Sequence, residues 1–197
     1  MSSDPETLKV YADKARHYAD LTASQGEDRL LASFIAAMPA GGRVLDLGCG
    51  PGVAAHAMAD AGLQTDAMDA VPEMVKMAAR HPDVTARIAT FDDISGVDHY
   101  DGIWSNFSLL HAPRADMPRH LRRIAQALKP DGRLHVAVKS GTGEQRDTLG
   151  RLYTYYTTEE LCELLRDAGL TPGDITTGSG KGMDGTLSDW IAVTAHG

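Results

Sequence analysis

The residues with the clearest chemical potential lie in one run, Val44-Leu45-Asp46-Leu47-Gly48-Cys49-Gly50-Pro51-Gly52. An apolar strand that breaks into glycines just before a helix lets the backbone approach a ligand closely, and the helix start offers unpaired N–H groups. Asp69 follows Gly50 by 19 residues, the spacing at which an acid accepts hydrogen bonds from a ribose diol. The pair therefore predicts a nucleoside site. Two details argue against a dinucleotide. Val53 stands where that fingerprint takes glycine or alanine, and Asp46 would repel a pyrophosphate while favouring a ligand with ammonium and sulfonium charge.

Further along, His111 is the candidate proton acceptor, having an ordinary pKa near neutrality. Its alternative is a structural histidine that caps the next helix or bonds a backbone carbonyl. Lys139, Arg146 and Arg151 are candidates to pair with an anionic substrate, and Tyr153, Tyr155 or Tyr156 to wall it. The alternative there is an exposed charged loop closed by its own salt bridges. Phe107 is a candidate pocket residue, whereas Trp104 reads as strand core. Cys49 reads as a small packing residue and Cys162 as core.

These positions need an α/β scaffold. From Gly42 onward short apolar runs alternate with helical segments, predicting a parallel sheet covered by helices. Strands are expected at 43–47, 63–68, 84–89, 100–105 and 134–139, and helices at 53–61, 72–80, 115–128 and 158–168. The last helix has an N-cap threonine ahead of Glu159 and Glu160. Apolar segments at 170–177 and 189–195 flank a glycine-rich stretch, 178–185, and predict an antiparallel terminal hairpin with a mobile loop. Ahead of the sheet lie two helical stretches, 5–20 and 28–38. In the first, Val10, Tyr11, Lys14, Tyr18 and Leu21 fall at helical spacing, as a lid across the sheet edge or a plain packing helix.

The VLDLGCGPG run resembles the hallmark motif of class I S-adenosylmethionine-dependent methyltransferases, and the resemblance extends from about Tyr11 to Ala195. It implies a doubly wound, Rossmann-like seven-stranded sheet ending in an antiparallel hairpin, one domain over 1–197 with the first 40 residues as a helical lid or extension. It implies S-adenosylmethionine as cofactor and S-adenosylhomocysteine as product. By the same resemblance Asp46, Gly48, Cys49 and Gly50 line the methionine part, Asp69 binds the ribose hydroxyls with Met68 and Ala70 nearby, and Ser105 belongs to the cofactor residues. Phe91 and Asp92 would border the adenine, or Phe91 is core and Asp92 a cap. Tyr11 and Tyr18 join Phe107, Lys139, Arg146, Arg151 and Tyr153 as acceptor-site candidates, in a layout resembling small bacterial tellurite-resistance-like methyltransferases. The segment from Ser105 to His111 lacks the N/D-P-P-Y/F form of relatives that methylate amide or adenine nitrogen.

Composition narrows the reading further. The 197 residues suit a single ordinary core, and a formal charge of −8 argues against a nucleic-acid partner. No apolar run is long enough to span a membrane, the two cysteines form no CxxC pair, and the histidines form no metal-binding pair. A cytoplasmic enzyme methylating a small molecule, with oxygen as acceptor atom, is the expectation. Its rivals are an NAD-dependent oxidoreductase and a homologue that binds S-adenosylmethionine without catalysis. Protein partners are not legible.

Overall fold

The computed structural model describes residues 4–23 and 28–197. Its centre is a seven-stranded sheet with strand order β3-β2-β1-β4-β5-β9-β8. The strand β1 (Arg43–Leu47) pairs in parallel with β2 (Gln64–Asp69) on one side and β4 (Tyr100–Asn106) on the other. β3 (Val84–Ile88) extends the β2 edge, and β5 (Leu128–Lys139) extends the β4 edge. The chain thus leaves β1 in opposite directions, and the crevice opens at the C-terminal ends of β1 and β4. β8 (Thr171–Lys181) and β9 (Leu187–His196) close the sheet antiparallel to β5.

Continuous apolar strands are explained by cover on both faces. Leu45, Leu47, Ile103, Val136 and Val138 pack in one cluster with residues of α6 (Met117–Ala127) and α7 (Thr158–Asp167). Val44 and Trp104 pack on the opposite face with Leu31 and Phe34 of α3 (Arg29–Ala36) and Met58 of α4 (Val53–Asp60). Each such buried side chain contributes about 1.5–3 kcal/mol of transfer free energy. The helix α5 (Pro72–Ala78) begins with its proline in the first turn, where the missing N–H costs nothing.

Several boundaries differ from the sequence expectation. The first helical stretch breaks at Lys14 into α1 (Pro5–Asp13), capped by Asp4, and α2 (Ala15–Ala23). α6 starts two residues later than expected because a 3-10 turn, Arg114–Asp116, precedes it. β5 begins at Leu128, so Lys129-Pro130-Asp131-Gly132 lies within the strand rather than ending a helix. There Leu128 pairs with Tyr100, and Asp131 takes a positive φ of 64° at the irregularity. The cap of α7 is Thr157, whose hydroxyl accepts from the Glu160 N–H. Residues 178–181 continue β8 instead of forming a loop, since a Cβ at Gly178 would come within 2.4 Å of the Trp190 ring lying across it. The sequence reading also missed a two-stranded hairpin, β6 (Glu144–Arg146) with β7 (Leu152–Thr154), set after β5.

Candidate functional site

The glycine turn after β1 follows from close approach. A Cβ at Gly48, whose φ is +77°, would lie 2.3 Å from Ser108 Cβ. Ser108 is held there because its hydroxyl donates to the Leu47 carbonyl at 2.6 Å while accepting from Ser105 at 2.9 Å. Ser105 is therefore a buried tie between the ends of β4 and β1, and its hydroxyl is committed to Ser108 rather than turned to a ligand. The Met68 carbonyl accepts from both Gly48 and Cys49 N–H groups, at 2.8 and 3.0 Å, so this residue serves the turn through its backbone. Ala70 packs partly buried beside it in the large core cluster. Burial raises the Cys49 thiol well above its ordinary range, which suits the packing role.

Asp69 clamps this loop. One carboxylate oxygen accepts from the Gly50 N–H at 3.0 Å and the other from Val71 N–H at 2.9 Å. Each oxygen keeps a lone pair for a further donor. Burial raises its pKa, against the pull of those N–H groups. Asp46 is the exceptional member. Its Oδ2 is buried and has no hydrogen-bond partner among the described residues. Burial pushes its pKa up to about 7, with the Ala55 N–H opposing and the nearby Asp69 reinforcing the shift. An orphaned carboxylate oxygen in a glycine-lined crevice fits the ammonium end of an amino-acid-bearing nucleoside, which would satisfy it.

Tyr18 closes over the loop: its ring carbon lies 3.3 Å from where a Gly50 Cβ would stand. It packs edge-on against Tyr11, with ring centroids 5.3 Å apart. The Tyr11 hydroxyl receives Arg151 Nη1–H at 2.9 Å and donates to His111 Nε2 at 2.9 Å. The opposite ring nitrogen of His111 donates to the Leu152 carbonyl at 2.6 Å, which assigns the proton to Nδ1. Desolvation holds the His111 pKa at about 3. His111 is neutral, its acceptor nitrogen is occupied, and the backbone-bonding alternative of the sequence analysis describes its position.

Arg151 is 1% exposed and its guanidinium forks onto Asp147, at 2.9 Å from Nε and 2.6 Å from Nη2. Tyr153 lies beneath two cations, with Lys139 Nζ 3.9 Å and Arg151 Cζ 5.1 Å from its ring centroid. Phe107 adopts a positive φ of 54° at the end of β4 and sets its ring edge-on to Trp190, centroids 6.1 Å apart. A non-glycine residue held left-handed at a strand end is a strained position of the sort found beside ligand sites.

Three expectations are corrected by these contacts. Arg146 is not in the cluster. It is exposed and paired with Asp4 at 2.8 Å and Glu6 at 3.2 Å, pinning α1 to β6 from outside. Asp92 turns to α6, where Arg119 holds its carboxylate and Arg123 reaches its carbonyl. Phe91 is 1% exposed and packs against His120 in the core, with ring centroids 5.4 Å apart. The cap at this turn is Thr90 with Asp93, not Asp92. Among the described residues no group of three or more His, Cys, Asp or Glu is arranged to hold a metal ion.

Residues 15–172 match the family described as a methyltransferase domain. The chain belongs to this methyltransferase family. Over 111 residues it is 35% identical to a ubiquinone biosynthesis O-methyltransferase of Xanthomonas axonopodis pv. citri, a match covering 53% of this chain and 46% of the relative. The chain thus spans about half the length of the curated relatives it matches. Among solved structures, Burkholderia thailandensis 1,6-didemethyltoxoflavin-N1-methyltransferase, with 1,6-didemethyltoxoflavin and S-adenosylhomocysteine bound, superposes with a TM-score of 0.79. That similarity has 26% identity and covers 97% of this chain and 87% of that one. A TehB-like methyltransferase from Corynebacterium glutamicum shares the fold, with a TM-score of 0.72, 19% identity and 98% coverage of both chains.

For this member of the family, sequence reasoning missed Ser108, Asp147 and Trp190. Asp147 carried a visible signal, since it stands four residues before Arg151 with a glycine between. Ser108 and Trp190 carried none, because their roles come from strands far apart in the chain. No helix among the described residues is long and apolar enough to cross a membrane.

Proposed function

We propose that the chain binds S-adenosylmethionine at the β1 glycine loop and transfers its methyl group to a small-molecule acceptor. The single observation that carries this reading is the partnerless, buried Oδ2 of Asp46 beside a loop clamped by Asp69. The Burkholderia relative with S-adenosylhomocysteine bound supports the choice of cofactor. The ubiquinone O-methyltransferase relatives support oxygen as the acceptor atom.

Asp69 would take the ribose hydroxyls and Asp46 the ammonium, with the Gly48–Gly50 turn against the chain between them. The group supplies an electrophilic methyl on a sulfonium, a good leaving group that needs alignment and a dry site more than acid or base help. The helices α1 and α2 act as a lid in this reading, while α3 is packed on the far face of the sheet. Tyr18 covers the loop, and Tyr11 locks α1 down through His111 and Arg151. His111 then orients Tyr11 and excludes water; it is a positioning residue rather than the base.

Calorimetric titration with S-adenosylmethionine, S-adenosylhomocysteine and NAD tests the cofactor. Both sulfur nucleosides should bind, with the affinity falling at least about tenfold in Asp69→Ala, the scale of a charge-assisted hydrogen bond. Binding of NAD alone would overturn the reading. Methyl transfer from labelled cofactor to small phenols and acids then separates an enzyme from a non-catalytic binder.

A further inference from the structure

Lys139 ends β5 with only 8% of its surface exposed; its carbonyl accepts from the Tyr156 N–H at 3.2 Å, and among the described residues its ammonium has no hydrogen bond and no ion pair. Its ammonium rests on the face of Tyr153, 3.9 Å from the centroid, and 3.8 Å from where a Gly182 Cβ would stand. The charged groups that face it are Asp184, Arg151 and Asp147. Asp184 is committed to the Thr186 N–H and hydroxyl, at 3.1 and 2.9 Å, and Asp147 to Arg151, at 2.6 Å. Neither carboxylate reaches ion-pair distance of Lys139. The aromatic face offsets only part of the cost of taking an ammonium out of water. Every other cation named as a candidate is neutralised: Arg151 by Asp147, Arg146 by Asp4 and Glu6.

We propose that Lys139 is the binding residue for an acceptor that enters as an oxyanion, a phenolate or carboxylate, its charge set against the ammonium above Tyr153. This deepens the methyl-transfer reading and rests on it. The neighbouring histidine agrees. His111, whose ring is 4.7 Å from Tyr153, has its acceptor nitrogen filled by Tyr11, so it offers no site for an acceptor proton. An acceptor that has already released its proton to solvent needs none. The oxyanion lone pair forms the new O–C bond, the electron pair of the broken C–S bond returns to sulfur, and no proton remains to be removed.

The test uses 4-nitrophenol as an optical probe, titrated into the protein with and without saturating S-adenosylhomocysteine. Bound at Lys139, the probe should ionise at a lower pH than it does free in solution. Lys139→Met and Lys139→Gln should abolish that displacement and weaken binding by about ten- to a hundredfold, the worth of one charge-assisted contact. Lys139→Arg should keep it. The proposal is overturned if the wild type binds no nitrophenolate, if the uncharged variants bind it equally, or if they lose S-adenosylhomocysteine along with it. Thermal melts give an independent check. Removing a largely buried ammonium that has no carboxylate at ion-pair distance should leave the melting temperature unchanged or raised, and a clear drop in both uncharged variants would mean that the ammonium is structural. Failure of S-adenosylhomocysteine to bind the wild type would overturn the cofactor reading alone, since the probe is also measured without it.

Discussion

The Tyr11 hydroxyl lies 2.9 Å from Nε2 of His111, joining residues 100 positions apart in the chain. This contact ties the first helix to the turn after β4 and decides what the histidine can do. With Nδ1–H given to the Leu152 carbonyl and Nε2 filled, the imidazole is a spacer between the Leu152 backbone and α1.

Tyr11→Phe should destabilise the fold by about 1–3 kcal/mol, because it strands the acceptor of His111 and a donor of Arg151 in a buried place. Urea unfolding measures the loss. In the wild type, an inflection of methyl transfer near pH 7 should belong to Asp46 and persist in His111→Gln, since His111 stays neutral down to about 3. An inflection that vanishes in His111→Gln would restore it as a base.

Ligand binding should release a proton. Burial brings Asp46 up to about 7, and the ammonium of S-adenosylmethionine would favour its ionised form. Calorimetry in buffers of different ionisation enthalpy should show release approaching one proton at about pH 6 and almost none at about pH 8. Equal release at both values would place the ammonium elsewhere. Asp46→Asn should bind the cofactor more weakly and lose the proton linkage.

Acid stability carries two opposed contributions. His111 and His135 are buried, and both pKa values are depressed to about 3 from 6.5. Their contribution is complete above 6.5 and is lost as pH falls toward 3, since only the unfolded chain takes up those protons. Asp46 acts oppositely: its folded pKa of about 7 exceeds the ordinary 3.8, so between those values the folded state binds the extra proton. Each group changes stability by at most about 1.4 kcal/mol per pH unit. Melting temperatures from pH 7 to 5 should therefore fall, and fall more steeply in Asp46→Asn.

The two arginines read together in the sequence should part company by experiment. Asp147→Ala leaves the Arg151 guanidinium, whose side chain is 2% exposed, without its partner, and should cost about 3–5 kcal/mol in chemical denaturation. Arg146→Glu breaks its pairs with Asp4 and Glu6 and its bond to the Gly150 carbonyl, none of them at the acceptor site, and should leave acceptor KM unaltered. A raised KM in Arg146→Glu would return that residue to the acceptor site.

The alternation of strands and helices, the glycine turn, and the Asp69 spacing were legible along the chain because they are local. A strand's apolar run, a turn's glycines and a short acid offset are set within some twenty residues; the seven-stranded sheet was implied by the resemblance those residues carry, and its strand order is a property of the tertiary structure. The cap at Thr157 rather than Thr158, and the long start of β5, shifted only boundaries. What the linear order could not show was which charges meet. Arg146 and Arg151 read alike in sequence, yet one pairs with Asp4 across 142 residues at the surface and the other with Asp147 in the interior. Asp92 looked free until α6 brought Arg119 to it. Partnering, and with it the neutral state of His111 and the uncompensated charge of Lys139, depends on burial and on contacts between distant segments. Those come into being only when the sheet, α1, α2 and the β6–β7 hairpin are packed together, because desolvation and pairing act through space and not along the chain.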